Sequence, residues 1–477
     1  MFSSLFFSSV ILGLSSASVL TDFPPGYFCY TDGHLHTDDP CRFFAAVIDA
    51  GSTGTRLHLY RFVHNTLPHS LPFVTEEEIF KEVKPGLSAF HDNPKGAALS
   101  VRELLDKAHE EIPPELWEKT PIALKATAGL RLLPKGQADA ILEEVQTEVL
   151  SSGFFLAENA VEILDGRDEG VFSWFTLNLL LNTLFQKSNG LPADPAPSRT
   201  VAAFDLGGGS TQVTFWPSDD SLFYENREYR KDIDFFDTHM HLFSHSFLGN
   251  GLISARLGVL MGSTNPELQS DDHLTSPCMP EDFEIPNWQY ALKSWRVRGN
   301  PEYSESKCAT AVRSFVRQSS IVELDYLKGK PIYLFSYFFD RALNAGIVKD
   351  SNGGKTTLGE FEKAAKIACH RDSSTLNHGA HWLPWQCMDL LYIHSLLKDG
   401  YGFENSQPLV LAKKLRGMEV SWGQGLAYSL VNEFHETALP DIGGAQINAT
   451  GSVLVDQFLT ILYQRTDDLL KYLNLIS

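Results

Sequence analysis

One pattern occurs twice in this chain and constrains its fold more than any other feature. An apolar run ends in an aspartate, a Gly/Ser/Thr turn follows, and an alternating strand leads away. The first copy is Phe43 to Ile48, then Asp49-Ala50-Gly51-Ser52-Thr53-Gly54-Thr55, then Leu57 to Phe62. The second is Thr200 to Phe204, then Asp205-Leu206-Gly207-Gly208-Gly209-Ser210-Thr211, then Gln212 to Trp216. Apolar–polar alternation marks a strand, so each copy predicts a hairpin. With 477 residues the chain is too long for one core. One hairpin in each of two domains is the reading this favours.

The turns have the chemistry of phosphate loops. Glycine lets the backbone approach an anion, and its N–H groups then donate to it. Ser and Thr add hydroxyl donors. An aspartate at the strand end repels phosphate directly but can hold a hydrated divalent cation against it. Neither loop is a Walker A or dinucleotide fingerprint, because neither leads into a helix. The formal net charge of −20, with a pI of about 5.2, repels a nucleic-acid backbone. A small anionic substrate therefore needs a locally positive pocket, which backbone N–H groups supply without Lys or Arg.

The N-terminus has an apolar stretch from Leu5 to Leu14 followed by small residues Ser15 to Ser18. That is a secretory signal pattern, expected over 1–18, although it lacks a basic lead. A retained membrane anchor is the alternative, and membrane attachment is expected only in that case. Residues 19–42 read as an extension. The six cysteines suit an oxidising compartment, with pairing in sequence order expected: Cys29–Cys41, Cys278–Cys308 and Cys369–Cys387. Asn448-Ala449-Thr450 is a glycosylation sequon. No His/Cys cluster has zinc spacing, and the 16 histidines are dispersed.

Helical periodicity predicts helices over 94–110, 135–150, about 169–185, 357–370, 386–398, 420–434 and 452–475. The segment 331–339 reads as a buried strand or strand–turn. After Trp216 the pattern is less regular, and 262–288 and 296–306 read as polar loops. Asp165-Gly166-Arg167-Asp168-Glu169-Gly170 places three carboxylates at a helix start, where acids favour the macrodipole.

Paired hairpins of this kind resemble the actin/Hsp70/hexokinase superfamily. VIDAGSTGTRLHLY, KATAGLRLLP, DGRDEGVFSW, AFDLGGGSTQVTF and SWGQGLAY resemble, in order, five short regions of the nucleoside triphosphate diphosphohydrolase (apyrase) family. KPGLSAF, KATAGLRLLP and CMDLLYI look closest to its soluble, secretory-pathway nucleoside diphosphatase branch. The Cys29/Cys41 pair goes beyond the four cysteines expected there.

The resemblance implies a two-lobed α/β fold, ribonuclease H-like, with the active site in the cleft. Lobe I would comprise 43–165 and 412–477, and lobe II 166–411. It implies Glu169 as the general base, with Gly170 leaving room for phosphate, and Ser210 and Gln212 positioning the water. Ser52, Thr53, Gly54, Thr55 and Thr127 would hold phosphate from one side and Gly207, Gly208 and Gly209 from the other. Thr127 also suits a plain strand terminus. Asp49 and Asp205 would act on Mg²⁺ or Ca²⁺ through waters. Tyr337 would stack on the base and Trp422 marks the fifth motif, with plain core the alternative reading for both. The implied activity is metal-dependent release of the terminal phosphate from nucleoside diphosphates such as UDP and GDP, by a monomer in the endoplasmic reticulum or Golgi lumen or secreted. Relatives that accept triphosphates often carry His in the first loop near Gly54, and its absence here favours diphosphates. A broad apyrase, an exopolyphosphatase-like enzyme and a nucleotide-gated binding protein are the alternatives. The last would need a substrate-binding module that the sequence does not display.

Overall fold

The computed structural model describes residues 30–31, 34–35, 42–64, 73–184, 186–188, 191–193, 195–224, 227–235, 238–263, 272–290, 292–327 and 329–438. The 1–18 segment, the Cys29–Cys41 pair, Asn448 and the helix expected at 452–475 lie outside the described residues.

Strand β1 (Arg42–Ala50) runs through the middle of the first sheet and is buried on both faces. Its period of two decides which core each side chain joins. Phe43, Ala45 and Val47 face one core; Phe44, Ala46, Ile48 and Ala50 face another. β1 pairs antiparallel with β2 (Thr55–His64), and β2 with β3 (Phe73–Val83). On its other side β1 pairs parallel with β4 (Pro121–Ala126), and β4 with β5 (Phe155–Ile163). Parallel neighbours require crossovers. Helix α1 (Pro94–Glu111) supplies one, and the short α2 (Ala128–Arg131) with α3 (Lys135–Leu150) supplies the other. Asn93 caps α1 by accepting from Gly96 N at 3.2 Å, and Pro94 suits the first helical position. Ala97, Val101, Leu104, Leu105 and Ala108 form its apolar stripe against Phe44 and Ile48.

Helix α4 (Gly166–Leu180) leads to the second sheet. That sheet holds β6 (Ala202–Leu206), β7 (Ser210–Phe215), β8 (Arg230–Phe235) and β9 (Thr238–Leu248). Helix α5 (Leu252–Ser263) follows, then a three-stranded sheet of β10 (His273–Ser276), β11 (Glu284–Tyr290) and β12 (Lys293–Gly299). After α6 (Glu305–Gln318) the large sheet gains β13 (Ile332–Ser336), which runs straight into α7 (Tyr337–Asn344). Strand β14 (Gly353–Thr357), helices α8 (Leu358–Ala368), α9 (Ser373–His378) and α10 (Gln386–Ser395), and strand β15 (Pro408–Ala412) complete it. The strand order is β8-β9-β7-β6-β13-β15-β14. Helices α5, α6, α8 and α10 contribute to the core on its outer face.

A central core joins the two sheets. It contains Phe43, Val47 and Phe62 from the first, Ala203, Met240 and Phe335 from the second, and most of α4 with helix α11 (Gly423–Ala438). Because α4 is enclosed on all sides, its sequence is apolar nearly all round rather than striped. Among the described residues no helix is long and apolar enough to cross a membrane.

Three expectations need correction. The stretch after Trp216 contains the β8–β9 hairpin, whose Met240 and Leu242 enter the central core while Phe243 and Phe247 enter the outer one. The segments read as polar loops contain β10 to β12. In β12 only alternate residues, Trp295, Val297 and Gly299, are buried between exposed Lys and Arg, so its mean polarity concealed its period. Helix α4 starts at Gly166, not near 169, because Asp165 is its cap and accepts from Arg167 N at 2.8 Å. Cys278–Cys308 and Cys369–Cys387 pair as expected.

Candidate active site

The two glycine turns meet. A Cβ built on Gly208 would fall on Ser52 Oγ and 3.4 Å from Thr53 Cγ2, so the second loop meets the Ser52 and Thr53 side chains of the first directly. The first helical turn of α5 sets the orientation of the second loop. Gly207 O accepts from Leu252 N at 2.9 Å, and Gly208 O accepts from Ile253 N at 3.0 Å and Ser254 N at 3.1 Å. In a planar trans peptide the N–H of the next residue points the opposite way. The N–H groups of Gly208 and Gly209 are therefore directed away from α5, as an anion-binding turn requires. Gly86 and Gly129 pack against the backbone of the first loop from behind.

Beside the second loop lies a buried polar ladder. Ser210, Gln212 and Thr214 share one face of β7, and Gln212 and Thr214 stand opposite Ser246 and Ser244 of β9. Gln212 Nε2 reaches Ser210 Oγ at 2.8 Å and Ser246 Oγ at 2.9 Å. Thr214 Oγ1 and Ser244 Oγ are 2.9 Å apart. Helix α4 lies directly on this ladder because it presents Gly166 and Gly170, one turn apart, to it. A Cβ on Gly170 would sit 2.6 Å from Thr214 Oγ1 and 3.0 Å from Ser244 Oγ. Gly170 therefore does not clear room for phosphate, as expected from sequence; it lets the helix touch the sheet.

That contact delivers Glu169. Its carboxylate Oε2 accepts from Gln212 Nε2 at 3.1 Å and from Arg131 Nη2 of α2. No protein hydrogen bond falls on Oε1 among the described residues. Burial pushes the Glu169 carboxyl up to about 7; Arg131 opposes the rise, and the charges of Asp205 and Asp49 add to it. A carboxyl near neutrality, with one oxygen held and the other open, is suited to exchange a proton. Gln212 Oε1 is likewise buried and without a partner.

The strand-end aspartates share that property. Asp49 Oδ1 and Asp205 Oδ1 are buried and unpartnered. Burial raises both pKa values, that of Asp205 to about 6. Ser336 opposes the rise at Asp205 by hydrogen bonding, and the charge of Asp49 adds to it. Arg56 Nη1, 3.6 Å from Asp49 Oδ2, opposes the rise at Asp49. Ser336 ends β13 in register with Leu206 and holds a left-handed backbone at φ 56°. Such strain in a non-glycine residue is concentrated at functional sites.

The remaining candidates fall around this centre. Thr55 is fully buried, with its hydroxyl unpartnered. Gly54 faces the Glu82 carboxylate rather than the second loop. Thr127 N donates to Ala50 O at 3.1 Å, which ties the end of β4 to the first loop. Tyr337 opens α7, half-buried, with the Arg341 guanidinium 5.5 Å from its ring centre and Arg56 within electrostatic reach. Trp422 lies in the central core, as its alternative reading had it. Asp168 pairs with Lys231 at 2.6 Å, and Asp389 is bound by both Arg256 and Arg341. Three site residues were not singled out from sequence: Arg131, Ser246 and Arg56. Arg131 and Arg56 lie inside the quoted motifs KATAGLRLLP and VIDAGSTGTRLHLY, whereas Ser246 carries no local signal.

The chain is similar to known proteins along most of its length. Residues 36–441 match the model of the GDA1/CD39 (nucleoside phosphatase) family. The chain is 52% identical to the nucleoside-diphosphatase uda-1 of Caenorhabditis elegans over 474 residues, 99% of each chain. It is 38% identical to the human nucleoside diphosphate phosphatase ENTPD5 over 391 residues, covering 81% of this chain and 87% of that one. The crystal structure of nucleoside triphosphate hydrolases from Neospora caninum superposes with a TM-score of 0.54 at 14% identity, over 83% of this chain and 94% of that one. The architecture is the two-lobed α/β fold of the actin/Hsp70/hexokinase kind.

Proposed function

The chain belongs to the GDA1/CD39 (nucleoside phosphatase) family, and from that premise we propose that it releases the terminal phosphate of nucleoside diphosphates, UDP and GDP foremost, by direct attack of water. Membership makes it a hydrolase. The diphosphate preference draws support from the nucleoside-diphosphatase names of its relatives and from the lack of a histidine in the first loop.

The observation that carries the mechanism is the joining of Glu169 to Gln212 and Ser210 at the edge of the second loop. Gln212 Nε2 shares its two hydrogens among Ser210 Oγ at 2.8 Å, Glu169 Oε2 and Ser246 Oγ as acceptors, so the Ser210 hydroxyl hydrogen is free to turn toward a water. The buried Gln212 Oε1 accepts from the same water. Glu169 Oε1 then takes the water proton while Arg131 holds Oε2. The hydroxide so formed attacks the terminal phosphorus, and the anhydride bond to the nucleoside monophosphate breaks. Ser52, Thr53 and Thr55, with Thr127 beside them, clamp the phosphates opposite the N–H groups of Gly208 and Gly209; Gly207 N–H instead donates to Ser210 O at 3.0 Å, and Gly54 turns to Glu82. Tyr337 offers its half-buried ring to the base.

The two orphaned carboxylate oxygens of Asp49 and Asp205 fit a hard divalent cation held through waters. When bound, Mg²⁺ or Ca²⁺ would offset the negative charge of the phosphates. Two disulfides among the described residues favour a secretory-pathway lumen or secretion. Phosphate release measured across UDP, GDP, IDP, CDP and ADP and their triphosphates tests the assignment. Diphosphates are expected to be turned over faster; equal or better use of triphosphates would replace this reading with a broad apyrase.

A further inference from the structure

Outside the cleft, the edge hairpin β8–β9 gathers three side chains with metal-binding chemistry. Asp232 on β8 stands directly opposite His241 on β9. His239, two residues before His241, shares its face. The alternate residues Ile233, Met240 and Leu242 go to the central core. The register that buries them therefore fixes Asp232, His239 and His241 on the opposite face. One ligand atom from each lies within 4.8 Å of the others. Around zinc, with bonds of about 2.0–2.1 Å, tetrahedral ligands sit roughly 3.4 Å apart. Closure onto an ion then needs side-chain movements of only about 1 Å.

A fourth group prepares the site. Asp220 begins the turn Asp220–Tyr224, and its Oδ2 lies 2.5 Å from His241 Nδ1. A carboxylate there keeps the proton on Nδ1 and leaves Nε2 with the lone pair a metal requires. Arg230 Nε fixes Asp232 Oδ1 at 2.6 Å in the same way.

We propose that Asp232, His239 and His241 bind one transition-metal ion of the Zn²⁺ type, with Asp220 as the carboxylate that positions His241. Two imidazoles and one carboxylate suit Zn²⁺, Co²⁺, Ni²⁺ or Cu²⁺, whereas Mg²⁺ and Ca²⁺ take oxygen ligands. The site is thus chemically separate from the Asp49/Asp205 pair. A bound ion fastens edge strand β8 to β9, the strand whose other half carries Ser246.

The test uses the untagged full chain, freed of transition metals and kept in excess Mg²⁺. Zn²⁺ is titrated against a chromophoric chelator, with Co²⁺ as a spectroscopic probe. One tight equivalent and visible Co²⁺ bands are expected. The double variant His239→Ala/His241→Ala should lose both, and Asp220→Asn should bind about 10- to 100-fold more weakly. An unchanged metal-free unfolding temperature shows that the variants are folded. Equal Zn²⁺ binding by wild type and double variant, or no stoichiometric uptake by wild type, would overturn the proposal.

Discussion

Gln212 Nε2 donates to Glu169 Oε2 at 3.1 Å and to Ser246 Oγ at 2.9 Å, so the strand pair β7–β9 sets the position of the carboxylate on α4. Ser246 stands opposite Gln212 on β9 and orients the amide. A hydrogen bond of this kind contributes about 0.5–1.5 kcal/mol net. Ser246→Ala is therefore expected to lower kcat about 2- to 10-fold with little change in KM. Gln212→Ala, which removes the amide itself, should cost more. Steady-state phosphate release from UDP measures both, and a larger effect from Ser246→Ala would contradict the ordering.

Arg131 stabilises the ionised form of Glu169, and burial opposes it. Removing the guanidinium should raise the carboxyl further above about 7. A base must be deprotonated, so the acid limb of the kcat/KM profile is expected to move to higher pH in Arg131→Met. A purely structural loss would lower the profile at all pH values without moving that limb.

The buried acids also link pH to stability. Glu169 titrates near 7 and Asp205 near 6 in the folded chain, above their ordinary values of 4.5 and 3.8. The native state thus holds protons that the unfolded chain has released, and stability falls as pH rises through that window. A cation at Asp49 and Asp205 favours the ionised forms and should offset the fall. In chelator, the unfolding temperature is expected to drop between about pH 5 and 7.5. Mg²⁺ should reduce that drop, and Glu169→Gln/Asp205→Asn should flatten it. A chelated protein equally stable at both pH values would exclude this linkage.

Gly170 was read from sequence as space for a ligand, but it is the contact between α4 and the ladder. Gly170→Ala should destabilise the chain by about 1–3 kcal/mol through overpacking. It should also lower kcat, because Glu169 moves with the helix. Urea unfolding and phosphate release test the two effects. Wild-type activity in a destabilised variant would separate the packing of α4 from catalysis.

The loops were legible because each compresses its chemistry into a few adjacent residues, Asp49 to Thr55 and Asp205 to Thr211. The cores were legible wherever a strand was buried on both faces, as in β1. The ladder was not: Gln212 and Ser246 meet only through the register of β7 with β9, which no local pattern announces. Strands β8 to β12 escaped for a related reason. In β9 and β12 the apolar residues alternate with His, Ser or Arg, and an average over the segment hides the alternation. Arg131 lay within a quoted motif, yet its partner Glu169 sits on a different helix, so its role needed the fold.

In the proposed mechanism Glu169 takes the proton from water. Glu169→Gln keeps the shape and a hydrogen-bonding end but cannot act as a base. Phosphate release from UDP and GDP in saturating Mg²⁺ or Ca²⁺ is the direct measurement, with folding of the variant checked by its unfolding temperature. The expected result is a fall in kcat of about 10²- to 10⁴-fold. Undiminished release by a folded Glu169→Gln protein would contradict the mechanism.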